Sequence, residues 1–459
     1  MTTYLFTTLP SNDLGLLTRS LPIAAELARR GHKVTFCSPG QAPSKLIAEA
    51  GFDNLIPRHP LFYLLATDLS VRGVLQAVKA GWEDLGLLNF FGQLVRAMPT
   101  KLTPTTSEVW NMDHLAAQAG MANENLVRAA AEAMIGLIRD SGADAVVDFC
   151  NPFACIAARA TQKPLIAILQ ADMHPASKGF IWWRDPPASL PTPVPAMNRV
   201  LAGYGLASIR KIDELLVGDL TLVMGMPETD PLPETADVTY IGPILWQKPG
   251  SRLPDWVDNL SKDRPVIWAY SGNPRYTSVV SSPADSAVVL EACIAALGDR
   301  DAQVVLTTGH HALPRDLLPL PDHFYYEPFV PGLAMAERSD LLIHHGGYGS
   351  CQTGLYTGTP AVIIPTYSER ESNARRVAAA GAGDFVIPAG KGWEKKRVDA
   401  RELRAKIEKV LSDPSYAANA RRISERLRAY GGASEAARLI ADFVQDSKES
   451  ANHPRQHTC

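Results

Sequence analysis

Residues 341–383 read LLIHHGGYGSCQTGLYTGTPAVIIPTYSERESNARRVAAAGAG, and the order of residue types in this stretch decides the fold. An apolar run over 341–343 ends in His344 and His345. Gly346, Gly347 and Gly349 follow, and then a helix-compatible stretch over 350–357. A second apolar run, 361–364, stops at Pro365, and a charged loop leads into a helical run over 373–380. Strand, glycine-rich turn, helix, strand, polar loop and helix is the rhythm of a parallel sheet. Such a turn presents backbone N–H groups at a helix N-terminus, where unpaired donors and the helix dipole attract phosphate. The glycine spacing is neither that of the dinucleotide fingerprint nor that of a phosphate loop ending in GK[ST].

The same rhythm runs outward in both directions. Residues 4–9 predict a buried strand, 21–30 a helix closed by Gly31, and 34–37 a second strand. This βαβ opening places ligands at the carboxyl ends of parallel strands. Residues 143–148 and 165–169 read as later strands around a helix at 151–161. A second series starts at Pro265, with strand 266–270, helix 284–297 and strand 303–307. It passes through 341–383 into helices at 401–411, 416–429 and 434–444. Two stretches break the pattern. Residues 62–121 are rich in Leu, Phe and Trp, and 180–197 are dense in Trp and Pro.

A length of 459 residues predicts two to three domains, and 46% hydrophobic against 20% charged residues allows a large core. A net charge of -3 argues against a general nucleic-acid binder. No apolar run reaches the ~20 residues of a membrane span, and the N-terminus lacks a basic, apolar leader. The expectation is a cytoplasmic chain without an integral membrane segment. The six cysteines form no CxxC pair and read as buried thiols rather than metal ligands.

The segment HHGGYGS…P…ERESNARR resembles the donor-binding signature of the family 1 glycosyltransferases, HHGGxGT…P…DQxxNAxR. The resemblance implies an α/β protein of GT-B type, with two Rossmann-like, doubly wound parallel-sheet domains facing a cleft. It divides the chain into an acceptor domain (1–245), a linker (246–264) and a donor domain (265–432). A helix (433–446) crosses back, and a disordered tail (447–459) follows. It also implies an inverting transfer of a hexose from a UDP- or dTDP-sugar co-substrate, without a cofactor, to a lipophilic small molecule such as a polyketide, terpenoid or phenolic. The alternatives are a sugar-nucleotide epimerase and a non-catalytic nucleotide-binding partner of another transferase. Oligomeric state stays open between monomer and homodimer.

Residue by residue, the resemblance puts His345, Gly347, Gly349 and Ser350 at the donor diphosphate, with Ser271 and Gly272 as a further phosphate-facing turn. Phe329 and Val330 fall where an aromatic and its neighbour hold the nucleobase. Thr353 stands where relatives most often have a glutamate for the ribose diol, which points toward a 2′-deoxyribose. Glu369 and Arg370 replace the Asp-Gln pair that binds the sugar hydroxyls, and Arg370 is a cationic fork rather than a neutral amide. No DxD-type metal motif stands out, so backbone donors are the expected partners of the leaving diphosphate, and no metal site is expected.

The histidine that many relatives carry after the first strand is missing from LPSNDLGLLTRSL. Asp13 is the candidate general base, with helix or turn capping as its other reading. Trp182, Trp183 and Phe90 are candidates to line a lipophilic acceptor pocket, with core packing as the default reading of Phe90.

Overall fold

The computed structural model describes residues 1–10, 14–65, 71–104, 106, 108–248, 250–272, 284–309, 312–390, 394 and 396–452. Strands β1 (Thr3–Thr8), β2 (Lys33–Cys37), β3 (Asp53–Asn54), β4 (Ala145–Phe149), β5 (Leu165–Leu169), β6 (Leu220–Met224) and β7 (Thr239–Gly242) form one parallel sheet. Its order is β3-β2-β1-β4-β5-β6-β7. A second parallel sheet holds β8 (Val266–Tyr270), β9 (Gln303–Thr307), β10 (Phe324–Glu327), β11 (Leu341–His344), β12 (Ala361–Ile363) and β13 (Gly383–Phe385). Its order is β10-β9-β8-β11-β12-β13.

Helices cover both faces of these sheets, so the central strands are buried throughout rather than alternating between buried and exposed. Every residue of β4, β5, β9 and β11 is buried. The strand order reverses between β1 and β4 in the first sheet and between β8 and β11 in the second. Chain connections leave these two points in opposite directions and open a crevice there, where doubly wound proteins bind ligands.

The irregular stretch over 62–121 folds as helices that lie outside both sheets. Val71–Leu85 and Leu87–Ala97 form a hairpin through Gly86, whose φ of 80° lets the chain reverse. The last helix, Gly432–Asn452, returns to the first sheet. Ala436, Ala437, Ile440 and Val444 join Leu17, Leu21 and the β1 and β4 side chains in one core. This helix continues past Ser447, where the sequence reading places a disordered tail. Lys448 Nζ reaches Asp144 Oδ2 at 3.1 Å, and Gln445 Nε2 donates to Glu449 Oε1, so the added turn gains tertiary and i,i+4 contacts. Residues 453–459 lie outside the described residues.

A cleft at the double switch point

A cleft of about 1100 Å³ runs between the carboxyl ends of the two sheets. Its floor on the second-domain side is the turn after β11. His344 is buried within the strand end, and its Nδ1 accepts the N–H of Gly346 at 3.1 Å. That bond requires a neutral imidazole, and burial lowers its pKa to about 3. Gly346 turns the chain with φ of 87°. Its carbonyl accepts from Asn373 Nδ2 at 3.0 Å, and the same amide donates to Glu369 Oε1 at 2.8 Å. A side chain at Gly346 would lie 2.8 Å from the Arg370 carbonyl. His344 is therefore a structural residue that shapes the turn.

His345 points the other way, into the cleft. Its ring stands edge-on to Tyr270, with centroids 5.6 Å apart, and fits between two glycines. A Cβ on Gly272 would come within 3.0 Å of the ring, and one on Gly347 within 2.6 Å of Nε2. Burial, with Arg370 and His344 adding to it, holds the imidazole well below its ordinary pKa, so it is neutral at physiological pH. Its Nδ1 is shielded from solvent, and a backbone hydrogen bond with Tyr270 works against the effect of burial on its pKa.

Helix Tyr348–Thr357 starts beside that ring at Gly347, and no side chain caps it. Ser350 N–H turns back to the Gly347 carbonyl at 3.0 Å, so it is not among the donors left over for a ligand. Gly349 is exposed, with open space where a Cβ would stand. Thr353 lines the cleft, and its hydroxyl donates to the Gly349 carbonyl at 2.9 Å. Ser271 is buried, with its hydroxyl 3.5 Å from the Thr307 carbonyl, so it faces the sheet, and Gly272 acts through the room it leaves for His345. Phe329 projects from the cleft wall, 40% exposed, while Val330 is buried in the core behind it. Glu369 and Arg370 also line the cleft. Burial raises the Glu369 pKa against the opposing pull of Asn373 and Arg370.

The first domain lines its side of the cleft with apolar groups, including Leu9, Leu16, Leu115, Met173 and Phe180. Cys150 joins them from the end of β4 in a left-handed conformation, φ 62°. Arg19 supplies the charge there. Its Nε donates to the Gly15 carbonyl at 2.7 Å, and its guanidinium lies 5.2 Å from the Tyr348 ring centroid across the cleft. Asp13 lies outside the described residues.

Three expected acceptor-lining residues stand elsewhere. Phe90 is fully buried in the helical hairpin, where a Cβ on Gly81 would lie 2.2 Å from its ring. Trp182 and Trp183 bridge the domains instead of lining the cleft. Trp182 Nε1 donates to Ser372 Oγ at 3.1 Å, and the Arg375 guanidinium lies 4.3 Å above the Trp183 ring. Aromatic content alone did not distinguish a pocket wall from a domain clasp, because both suit a large side chain with a polar edge.

The clasp closes on a buried ion cluster that the sequence reading did not contain. Arg376 bonds Asp172 through Nη2, and its Nη1 lies 3.9 Å from Asp230 Oδ1. Both carboxylates come from the first domain and are 1% exposed. Ser372 Oγ donates to Asp172 Oδ2 at 3.0 Å, Gln352 Nε2 to Asp230 Oδ2 at 3.3 Å, and the Tyr348 hydroxyl to the Met224 carbonyl at 2.7 Å. Val109 N–H donates to Ser368 Oγ at 2.9 Å. The helix that presents Glu369 and Arg370, Ser368–Ala379, is thus gripped by the first domain along one face at 368, 372, 375 and 376.

Several known proteins share this fold. A calicheamicin glycosyltransferase, CalG4, superposes with a TM-score of 0.66 at 20% identity, covering 97% of this chain and 98% of its own. The glycosyltransferase VinC, solved with dTDP, gives 0.62 at 18% identity, covering 97% and 100%. These likenesses establish the GT-B fold. Residues 291–442 match the family described as erythromycin biosynthesis protein CIII-like, C-terminal domain. The second domain is thus similar to that family, and the chain as a whole has the GT-B fold. Among its relatives in sequence, a Bacillus subtilis (strain 168) protein named as an uncharacterized UDP-glucosyltransferase, YojK, is 30% identical over 237 residues, 51% of this chain and 54% of that protein. The 4'-demethylrebeccamycin synthase of Lentzea aerocolonigenes is 30% identical over 219 residues, 48% of this chain and 47% of the relative. The chain spans about half the length of these curated relatives. No described helix is long and apolar enough to cross a membrane.

Two outcomes follow from the interdomain cluster. Arg376→Ala leaves two buried carboxylates without their cation and lowers stability by about 3–5 kcal/mol, measurable by urea unfolding at neutral pH. Burial raises the Asp172 pKa from 3.8 to about 6. A raised acid pKa stabilises the fold fully below the unfolded value and loses that contribution as pH rises through the folded one. Stability therefore declines through this group between about pH 4 and 6, and Asp172→Asn lessens that decline in unfolding curves taken across the interval. An unchanged slope contradicts the assignment.

Proposed function

We propose that this chain is an inverting, metal-independent hexosyltransferase, taking the sugar of a UDP- or dTDP-hexose and passing it to a lipophilic small molecule. The observation that carries the reading is the pairing of an uncapped helix N-terminus with His345 on one floor of the cleft. Departure of a nucleoside diphosphate from the sugar carbon builds negative charge on the leaving phosphate, against an oxocarbenium-like centre. Preorganised N–H donors and the helix dipole stabilise that charge without reorganising. His345 is neutral, so in this reading its ring N–H donates a hydrogen bond to a phosphate oxygen rather than meeting it as a fixed cation.

In the same pose Phe329 stacks on the base at the outer wall, and Thr353 faces the ribose. A threonine hydroxyl already donating to Gly349 grips a cis-diol less well than a carboxylate, which favours a 2′-deoxyribose and hence dTDP. Glu369, oriented by Asn373, accepts sugar hydroxyl protons, with Arg370 beside it. The apolar first-domain wall, Leu115 to Phe180, takes the acceptor, and Asp13 is the proposed base from the loop after β1. The match to family members bearing transferase names supports this reading over an epimerase or a non-catalytic partner. Turnover against an acceptor panel, run beside donor alone, separates the three. Epimerisation without acceptor, or nucleotide binding with no transfer to any acceptor, overturns the proposal.

His345→Ala raises donor KM and lowers kcat together, by roughly 10²-fold or more in kcat/KM if it acts as one oxyanion-type donor. Wild-type kinetics in that variant remove it from the site. Gly347→Ala places a methyl 2.6 Å from Nε2 of the His345 ring and displaces the ring. Thermal-shift titration with dTDP and UDP then shows weaker stabilisation than in the wild type, while the unliganded midpoint shifts little.

A further inference from the structure

Among the described residues, eight of the thirteen large apolar side chains left exposed lie between 75 and 102. They belong to the helical hairpin Val71–Leu85 and Leu87–Ala97 and to the chain just beyond it. The inner seam of the hairpin is filled, with Phe90 fully buried against Gly81. The outer face is a continuous apolar stripe. Leu88 (89% exposed), Phe91, Val95 and Met98 recur at i, i+3, i+7 and i+10, and Leu75 and Trp82 stand one above the other at i, i+7 on the neighbouring helix. A patch of this kind on a folded chain marks an interaction site.

Its charges say what covers it. Residues 71–104 hold Arg72, Lys79, Arg96 and Lys101 against Glu83 and Asp84, a balance of +2 in a chain of -3 overall. Both acids are engaged, Asp84 by Arg58 at 3.0 Å and Glu83 by Lys79 at 3.8 Å. Arg72, Arg96 and Lys101 are exposed and have no ion-pair partner among the described residues. A two-fold contact with a second copy would lay this positive face on itself, and like charges oppose that pairing. A surface that is negative at its boundary and apolar beneath satisfies both features. Trp, Phe and Leu on one face with Arg and Lys at its edge is the pattern of an interfacial helix.

We propose that the outer face of the 71–98 hairpin docks this protein on an anionic lipid surface, with Leu88, Phe91, Val95 and Trp82 inserted at the headgroup boundary and Arg72, Arg96 and Lys101 on the headgroups. The proposal is independent of the transferase reading. The full chain, co-sedimented with vesicles of phosphatidylcholine and phosphatidylglycerol, binds about 100-fold more tightly than to phosphatidylcholine alone, three cations each contributing roughly five-fold. High salt releases it. The triple variant Leu88→Gln/Phe91→Gln/Val95→Gln, made at exposed positions, abolishes binding while its thermal midpoint stays that of the wild type. Arg96→Gln/Lys101→Gln removes most of the preference for anionic vesicles. Absence of binding at low salt, equal binding to both vesicle types, or retention by the triple variant overturns the proposal. So does a concentration-dependent dimer in analytical ultracentrifugation that the triple variant dissolves, because a second copy then covers the face. Nucleotide binding and turnover report on the cleft separately.

Discussion

The geometry of the cleft depends on how the backbone of Gly346 is satisfied. Its N–H is bound by His344 and its carbonyl by Asn373, and only a hydrogen at its Cα clears the Arg370 backbone. A single residue thereby locks the end of β11 to the helix that presents Glu369 and Arg370. With the turn so fixed, His345 has one place to go, the slot between Gly272 and Gly347. The low pKa of His344 is a requirement of the arrangement, since a protonated imidazole cannot accept the Gly346 N–H. Backbone hydrogen bonds that are paid for in burial, rather than flexible side chains, set the floor on which a diphosphate is proposed to sit.

The second constraint is the grip of the first domain on helix Ser368–Ala379. Arg376 placed between Asp172 and Asp230 is a buried charge cluster, and such clusters add little net stability over an apolar substitute. Their value is directional, because a guanidinium fork and two carboxylates tolerate few relative orientations. Here the orientation fixed is that of the two walls of the cleft. Trp182 and Trp183 extend the grip at 372 and 375, so the end of the second domain that carries Glu369 and Arg370 is held by residues of the first. This couples the two walls of the cleft through side chains.

Much of this was legible in the sequence for a local reason. Buried parallel strands are short apolar runs with turn residues at both ends, and β5, β8 and β9 have the bounds that such runs predict. The 341–383 turn was legible because its chemistry is contiguous: strand, glycines and helix lie within a few residues. The ion cluster was not, since Asp172, Asp230 and Arg376 are ordinary charged residues until folding brings them together. Phe90, Trp182 and Trp183 show the limit of composition, because an aromatic side chain serves a core, a clasp or a pocket equally well. The hairpin of 71–97 was marked as apolar but not as exposed, since a helix rich in Leu and Phe on nearly every side does not announce which side faces solvent.

The most direct measurement is a crystal structure of the chain with dTDP or UDP bound. The account predicts the diphosphate at the N-terminus of helix Tyr348–Thr357, with a phosphate oxygen within hydrogen-bond distance of the His345 ring and the base against Phe329. A nucleotide bound elsewhere, or bound in the cleft with its phosphates turned away from His345 and the helix terminus, contradicts it.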